Sequence, residues 1–202
     1  MWTASEIRDA YARLRAEVGE AVTVVVATKY VAPAELDRLV DAGIEVVGEN
    51  RAQDLEAKHA RFGERFRWHF IGHLQSRKAP LVSQLCELCH SLDSLSAAHR
   101  LTIPALVQVN LAGEVSKSGV APAELGRFLA DLAGIGVPVR GLMTMPPFAD
   151  DPEHSRPYFR ELARLAGEHD LPELSMGTTQ DYRVAVEEGA TMIRVGSVLF
   201  GR

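Results

Sequence analysis

The chain alternates between two hydrophobic periods. Across 4–18, apolar residues fall at Ile7, Ala10, Tyr11, Leu14 and Val18, the three-and-four spacing of a helix with one buried face. Residues 23–28 then read TVVVAT, a β-branched run apolar on both faces, as befits a strand inside a parallel sheet. Helical spacing returns at 33–42, with Pro33 near the first turn and Gly43 just past the end. Further strand-like segments lie at 45–48, 67–72, 88–92, 104–110, 137–143, 171–175 and 191–195, with helix-like stretches between them. Those stretches are clearest at 122–132, 152–168 and 179–188, and shortest at 94–101, where only two turns fit. Strand and helix alternating eight times call for a parallel sheet, and eight units favour closure over an open doubly wound sheet. The expected fold is α/β: a single (β/α)8 TIM barrel over residues 1–202, one domain, with an additional N-terminal helix.

Composition agrees with one sizeable core: 202 residues, 47% hydrophobic and 24% charged. A net charge of −5, with the acidic residues dispersed, argues against a nucleic-acid groove or an anionic membrane surface. The first twenty residues mix Glu6, Arg8, Asp9, Arg13 and Arg15 with apolar ones, which is not the pattern of a signal peptide. A cytoplasmic location and a small partner are therefore expected. Cys86 to His90 spell C-x-x-C-H, the pattern of covalent haem attachment, but no export signal accompanies it and the segment alternates like a half-buried strand. Two reduced thiols packed beside a core strand are the favoured reading, and a zinc site lacks a second cysteine pair.

In such barrels reactive groups collect where strands end. Strand 1 ends in Thr28-Lys29-Tyr30; partial desolvation would make Lys29 an amine nucleophile toward a carbonyl, while the plain alternative is a solvated loop lysine. Strand 7 leads into Ser175-Met176-Gly177-Thr178-Thr179 and strand 8 into Gly196-Ser197, each joining glycine and hydroxyls at a helix start, where backbone N–H groups favour an anion. Ordinary helix caps use the same residues, yet their coincidence after strands 7 and 8 points to phosphate. Closure makes strand 8 the neighbour of strand 1, so one phosphorylated carbonyl compound would satisfy both ends. Arg194, charged within an apolar strand, needs a ligand or a salt bridge, for which Glu49 is a candidate. Asn50, with Gln53 one turn on, and His69 are candidates for the same mouth, although a histidine between two aromatics, as His69 is, is more often a satisfied core residue.

These segments carry a resemblance. Ala27-Thr28-Lys29-Tyr30, Gly48-Glu49-Asn50-Arg51-Ala52-Gln53, and Trp68-His69-Phe70-Ile71-Gly72-His73-Leu74-Gln75-Ser76-Arg77-Lys78 come first. Gln108-Val109-Asn110, Ser116-Lys117-Ser118-Gly119, Gly141-Leu142-Met143-Thr144-Met145, Leu174-Ser175-Met176-Gly177 and Ile193-Arg194-Val195-Gly196 through Phe200-Gly201 follow in order. Together they resemble, over essentially the whole chain, the pyridoxal phosphate homeostasis proteins of the YggS/PROSC type, whose fold is similar to the barrel of bacterial alanine racemase. The resemblance implies that Lys29 carries pyridoxal 5'-phosphate (PLP) as a Schiff base, that Ser175, Thr178 or Thr179, Gly196 and Ser197 hold its phosphate, that Arg194 faces the pyridine nitrogen and that Asn50 lies near the ring. An arginine there disfavours a protonated pyridine and weakens the electron sink. Two departures stand out: Thr178-Thr179 follows Ser-Met-Gly where the family usually has methionine and then serine or threonine, and the segment between His90 and Pro104 is short.

The function expected is a PLP-binding carrier in intracellular vitamin B6 homeostasis, holding the cofactor without robust catalysis. The partners expected are PLP and apo forms of PLP-dependent enzymes, with no nucleic acid and no membrane, the chain acting as a monomer. A small PLP-dependent amino-acid racemase or lyase is the alternative, with Tyr30, His69 and His73 as proton donors; racemases of similar fold use a second domain to complete the site. A third reading is a cofactor-free aldolase or isomerase in which Lys29 attacks a sugar phosphate. Lys117 is either a second anion contact or a solvated loop lysine.

Overall fold

The computed structural model describes residues 2–114 and 118–200. The strands are β1 (Thr23–Ala27), β2 (Val46–Glu49), β3 (Arg67–Phe70), β4 (Leu88–Leu92), β5 (Ala105–Gln108), β6 (Val139–Met143), β7 (Glu173–Thr178) and β8 (Met192–Val195). They close into a barrel in chain order, every neighbouring pair parallel, β8 returning to β1 with Val26 opposite Val195. The helices are α1 (Ala4–Val18), α2 (Asp37–Asp41), α3 (Ala52–Phe62), α4 (Ala79–Leu85), α5 (Leu95–Ala98), α6 (Leu125–Ile135), α7 (Arg156–Glu168), α8 (Tyr182–Glu187) and α9 (Ser197–Phe200). Barrel and N-terminal helix are those that the alternation of periods predicts.

Side chains alternate across each strand, which explains the run of valines in β1. Val24 and Val26 join the main core shared with the helices, where they meet residues such as Leu39 and Leu55. Leu88, Leu106, Met143 and Met192 form a second, separate cluster, contributed by inward positions of β4, β5, β6 and β8. Two residues further along β4 and β8, on the same inward face, stand His90 and Arg194. An apolar layer at the base of the barrel is thus overlaid by a polar one nearer the mouth.

Helix α1 is set by a capping box in which the Thr3 hydroxyl accepts from Glu6 N while the Glu6 carboxylate accepts from Thr3 N (2.8 Å). It buries Ile7, Ala10, Leu14 and Val18 and stops at Gly19. The Tyr182 hydroxyl donates to the Glu17 carboxylate (2.6 Å), tying α1 to the start of α8. No helix among the described residues is long and apolar enough to cross a membrane.

Among the departures from the expected bounds, two bear on the site. The segment 33–42 opens as a 3-10 turn, Pro33–Glu35, and becomes α2 only at Asp37. Strand β7 runs on to Thr178 rather than ending at 175, because Gly177 adopts φ +89 and the β7–β8 register shifts between Ser175 and Thr178. Glycine absorbs that irregularity and the strand continues through it. A Cβ at Gly177 would meet the Ala185 Cβ at 2.6 Å, so the close packing of α8 on β7 also needs glycine there.

Candidate functional site

A cavity of about 700 Å³ opens at the C-terminal ends of the strands, centred on β1, β7 and β8. Lys29, Asn50, Thr178, Thr179, Arg194, Gly196 and Ser197 all line it. Lys29 stands two residues beyond β1 and is exposed, its Nζ 4.8 Å from the Tyr30 ring centroid. Among the described residues no hydrogen bond or ion pair holds that nitrogen.

Beneath Lys29 lies a buried ion pair. Lys58 Nζ, from α3, donates to Glu49 Oε2 (2.5 Å) and to the Thr28 carbonyl (2.7 Å), with the two side chains 4% and 0% exposed. The Thr28 hydroxyl donates to the same carboxylate oxygen (2.8 Å), and Glu49 Oε1 accepts from Asn50 N (2.8 Å). One carboxylate therefore clamps the ends of β1 and β2, which carry Lys29 and Asn50. Glu49 pairs with Lys58, correcting the candidate bridge to Arg194. Asn50 Oδ1 is buried without a hydrogen-bond partner among the described residues, a polar atom beside the cavity still in want of a donor.

Arg194 lies at the cavity floor, 6% exposed. Nη1 donates to the Ser175 carbonyl (2.8 Å) and hydroxyl oxygen (2.5 Å), and Nη2 donates to the Thr144 carbonyl (2.9 Å). Burial pulls the guanidinium down to about 10 and the Asp181 carboxylate works against that shift, so the group remains a cation at neutral pH.

The phosphate assignments separate. Ser175 is fully buried inside the barrel, its hydroxyl bonded to Arg194 and 2.8 Å from His90 Nδ1. It faces inward on β7, where its hydroxyl meets Arg194 and His90 rather than the cavity lining. Thr178 reaches the cavity, but its hydroxyl donates to Asp181 Oδ1 (3.0 Å), as does its backbone N–H (2.7 Å). Asp181 is held in turn by the Ser155 hydroxyl (2.7 Å). Thr179 Oγ1 accepts from Gly196 N (3.1 Å), joining the loops after β7 and β8 while its own proton stays available. Thr179, Gly196 and Ser197 thus lie together on the side of the cavity where β8 adjoins β1.

His69, offered as a mouth residue, is a core histidine: 3% exposed, with Nε2 2.9 Å from Glu87 Oε1 and Nδ1 2.9 Å from His90 Nε2. Cys86 and Cys89 are buried and free, and burial pushes both thiols up, Cys89 to about 11. Sequence reasoning missed Lys58 and His90. The signal for His90 was its place two residues after Leu88 on an inward strand face; that for Lys58 was a charge on the buried stripe of α3. Ser116, Lys117 and Gly201 lie outside the described residues.

The chain matches the family described as alanine racemase, N-terminal domain, over residues 3–202. It is 40% identical over 192 residues to a pyridoxal phosphate homeostasis protein of Aquifex aeolicus, covering 87% of this chain and 84% of that one. The protein of the same description from Escherichia coli K12 is 33% identical over 224 residues, covering 98% and 94%. Among solved structures, PipY of Synechococcus elongatus, determined with PLP bound, superposes with a TM-score of 0.88 at 33% identity, over 96% of this chain and all of that one.

Proposed function

The chain belongs to the pyridoxal phosphate homeostasis proteins, within the alanine racemase N-terminal domain family, and from that premise we propose that it is a carrier of PLP. It binds the cofactor covalently through Lys29 and serves intracellular vitamin B6 balance without robust turnover. One observation carries this reading: an unpaired amine, an arginine and a loop edge of hydroxyls and glycine line a single cavity at the mouth of the barrel.

The residues fit the cofactor. The Lys29 amine suits its aldehyde; the Thr179 hydroxyl with the Gly196–Ser197 turn suits its phosphate; Arg194 suits the ring nitrogen; and the unpartnered Asn50 amide oxygen marks a place for a polar ring substituent. When bound, PLP supplies an aldehyde that condenses reversibly with a primary amine and a pyridine ring that withdraws electrons. Arg194, a cation, would stand as a hydrogen-bond donor toward the ring nitrogen, which would oppose its protonation and favour storage over carbanion chemistry. Tyr30, Met145 and Phe148, respectively 71%, 52% and 82% exposed, form an apolar rim that supports hand-over to apo PLP-dependent enzymes. A monomeric, cytoplasmic protein using residues 1–202 as one PLP-binding domain belongs to the same reading.

The experiment is the visible spectrum. The native protein, purified or reconstituted with PLP, is expected to be yellow and Lys29→Ala colourless; equal absorbance in both would overturn the attachment. Incubating the holo-protein with alanine or serine is expected to show no racemisation or deamination above free PLP, and clear turnover would favour the racemase or lyase alternative.

A further inference from the structure

The barrel interior contains a run of polar side chains that PLP binding alone does not require. Glu87 stands just before β4, at the end of the barrel opposite the cavity, with its side chain 40% exposed and an ion pair to Arg67 (2.8 Å). From Glu87 Oε1 the run passes to His69 Nε2, then from His69 Nδ1 to His90 Nε2, and from His90 Nδ1 to the Ser175 hydroxyl, each gap 2.8 to 2.9 Å. Arg194 Nη1 completes it on the same hydroxyl. His69, His90 and Ser175 are 3%, 0% and 0% exposed, so among the described residues the run meets solvent only at Glu87 and at the cavity.

Donor chemistry sets its direction. A guanidinium only donates, so Ser175 accepts from Arg194 and passes its own proton to His90 Nδ1. Neutral His90 then carries its proton on Nε2 and donates to His69 Nδ1. Neutral His69 likewise carries its proton on Nε2 and donates to the Glu87 carboxylate, which only accepts. Every link is satisfied in this one arrangement. Reversing it would aim a His69 lone pair at the carboxylate, or require a second cation in a barrel that already holds Arg194. Burial above all holds His90 far below the ordinary imidazole range, and the Arg194 charge acts in the same direction, which keeps that ring neutral.

We propose that Glu87, His69, His90 and Ser175 are positioning residues: a one-way hydrogen-bond chain, anchored on a carboxylate at the far end of the barrel, that fixes Arg194 at the cavity floor. Only the identity of what Arg194 faces rests on the PLP reading.

The test begins on cofactor-free protein, reading the histidine ring nitrogens by long-range proton–nitrogen-15 NMR at neutral pH. Both His69 and His90 are expected as the Nε2–H tautomer, with Glu87→Ala releasing His69 from that single form. On adding PLP, His90→Gln is expected to raise Kd about tenfold, equivalent to about 1.4 kcal/mol and within the range for a hydrogen bond to a charged group. Glu87→Ala, a change at the exposed end that leaves the core packed, is expected to move the visible band in the same direction as His90→Gln. An Nδ1–H His90 or a doubly protonated His69 in the native protein would overturn the chain. So would a folded Glu87→Ala protein with unchanged tautomers, Kd and band. If native protein took up no PLP, the carrier reading would fall, while the tautomers would still decide the chain.

Discussion

Replacing Lys58 by methionine tests the clamp beneath the binding amine. The substitution preserves most of the side-chain volume and removes one charge, leaving the Glu49 carboxylate, 0% exposed, with only the Thr28 hydroxyl and the Asn50 N–H as donors. Breaking a buried pair from one side typically costs about 3–5 kcal/mol, because the surviving charge has neither water nor a counter-ion. For a chain of this length each kcal/mol lowers the melting temperature by about 2–4 °C, so a fall of roughly 6–20 °C is expected. The assay is reversible denaturation of Lys58→Met, Glu49→Gln and the double variant, closed as a mutant cycle. Removing both charges takes away the uncompensated carboxylate, so the double variant is expected to be more stable than Lys58→Met alone. The same variants should hold PLP less tightly, since the pair joins the strand ends bearing Lys29 and Asn50. A loss below about 1 kcal/mol for Lys58→Met, or a double variant no more stable than it, would refute the charge argument.

Gly177→Ala is expected to destabilise by about 1–3 kcal/mol, because residue 177 has φ +89 and its new methyl would press on Ala185; a denaturation midpoint matching the native one would show that the β7–α8 packing yields more easily than argued. Acid should expose the Glu87 anchor. The His69 hydrogen bond first, and Arg67 after it, outweigh burial and hold the Glu87 carboxyl down at about 2 against an ordinary 4.5. A lowered carboxyl stabilises the fold fully above its unfolded value and loses that contribution as pH falls through the folded one. The stability difference between native protein and Glu87→Gln should therefore be constant above about pH 5 and shrink between 4.5 and 2, as followed by urea denaturation across pH; a difference that stayed level through that window would contradict the assignment.

What the sequence alone determined was the periodic part of the molecule and the residues at strand ends. The valines of β1, the stripe of α1 and the alternation of strand with helix each encode their element within a few residues, and closure follows from repeating that unit. Lys29, Asn50, Thr179, Arg194, Gly196 and Ser197 were legible because strand ends of such a barrel converge on one mouth. Period and composition do not say where a strand stops or which way a hydroxyl on it faces: a single glycine at positive φ carries β7 on to Thr178, which lines the cavity with its hydroxyl on Asp181, while Ser175 faces inward onto Arg194 and His90. Tertiary structure alone decided the partners. Glu49 meets Lys58 rather than Arg194, and His90 meets Ser175 across 85 residues of chain. Such pairings depend on the register of the closed sheet and on which face each side chain takes, and buried polar groups accept whichever complementary partner that geometry brings within about 3 Å.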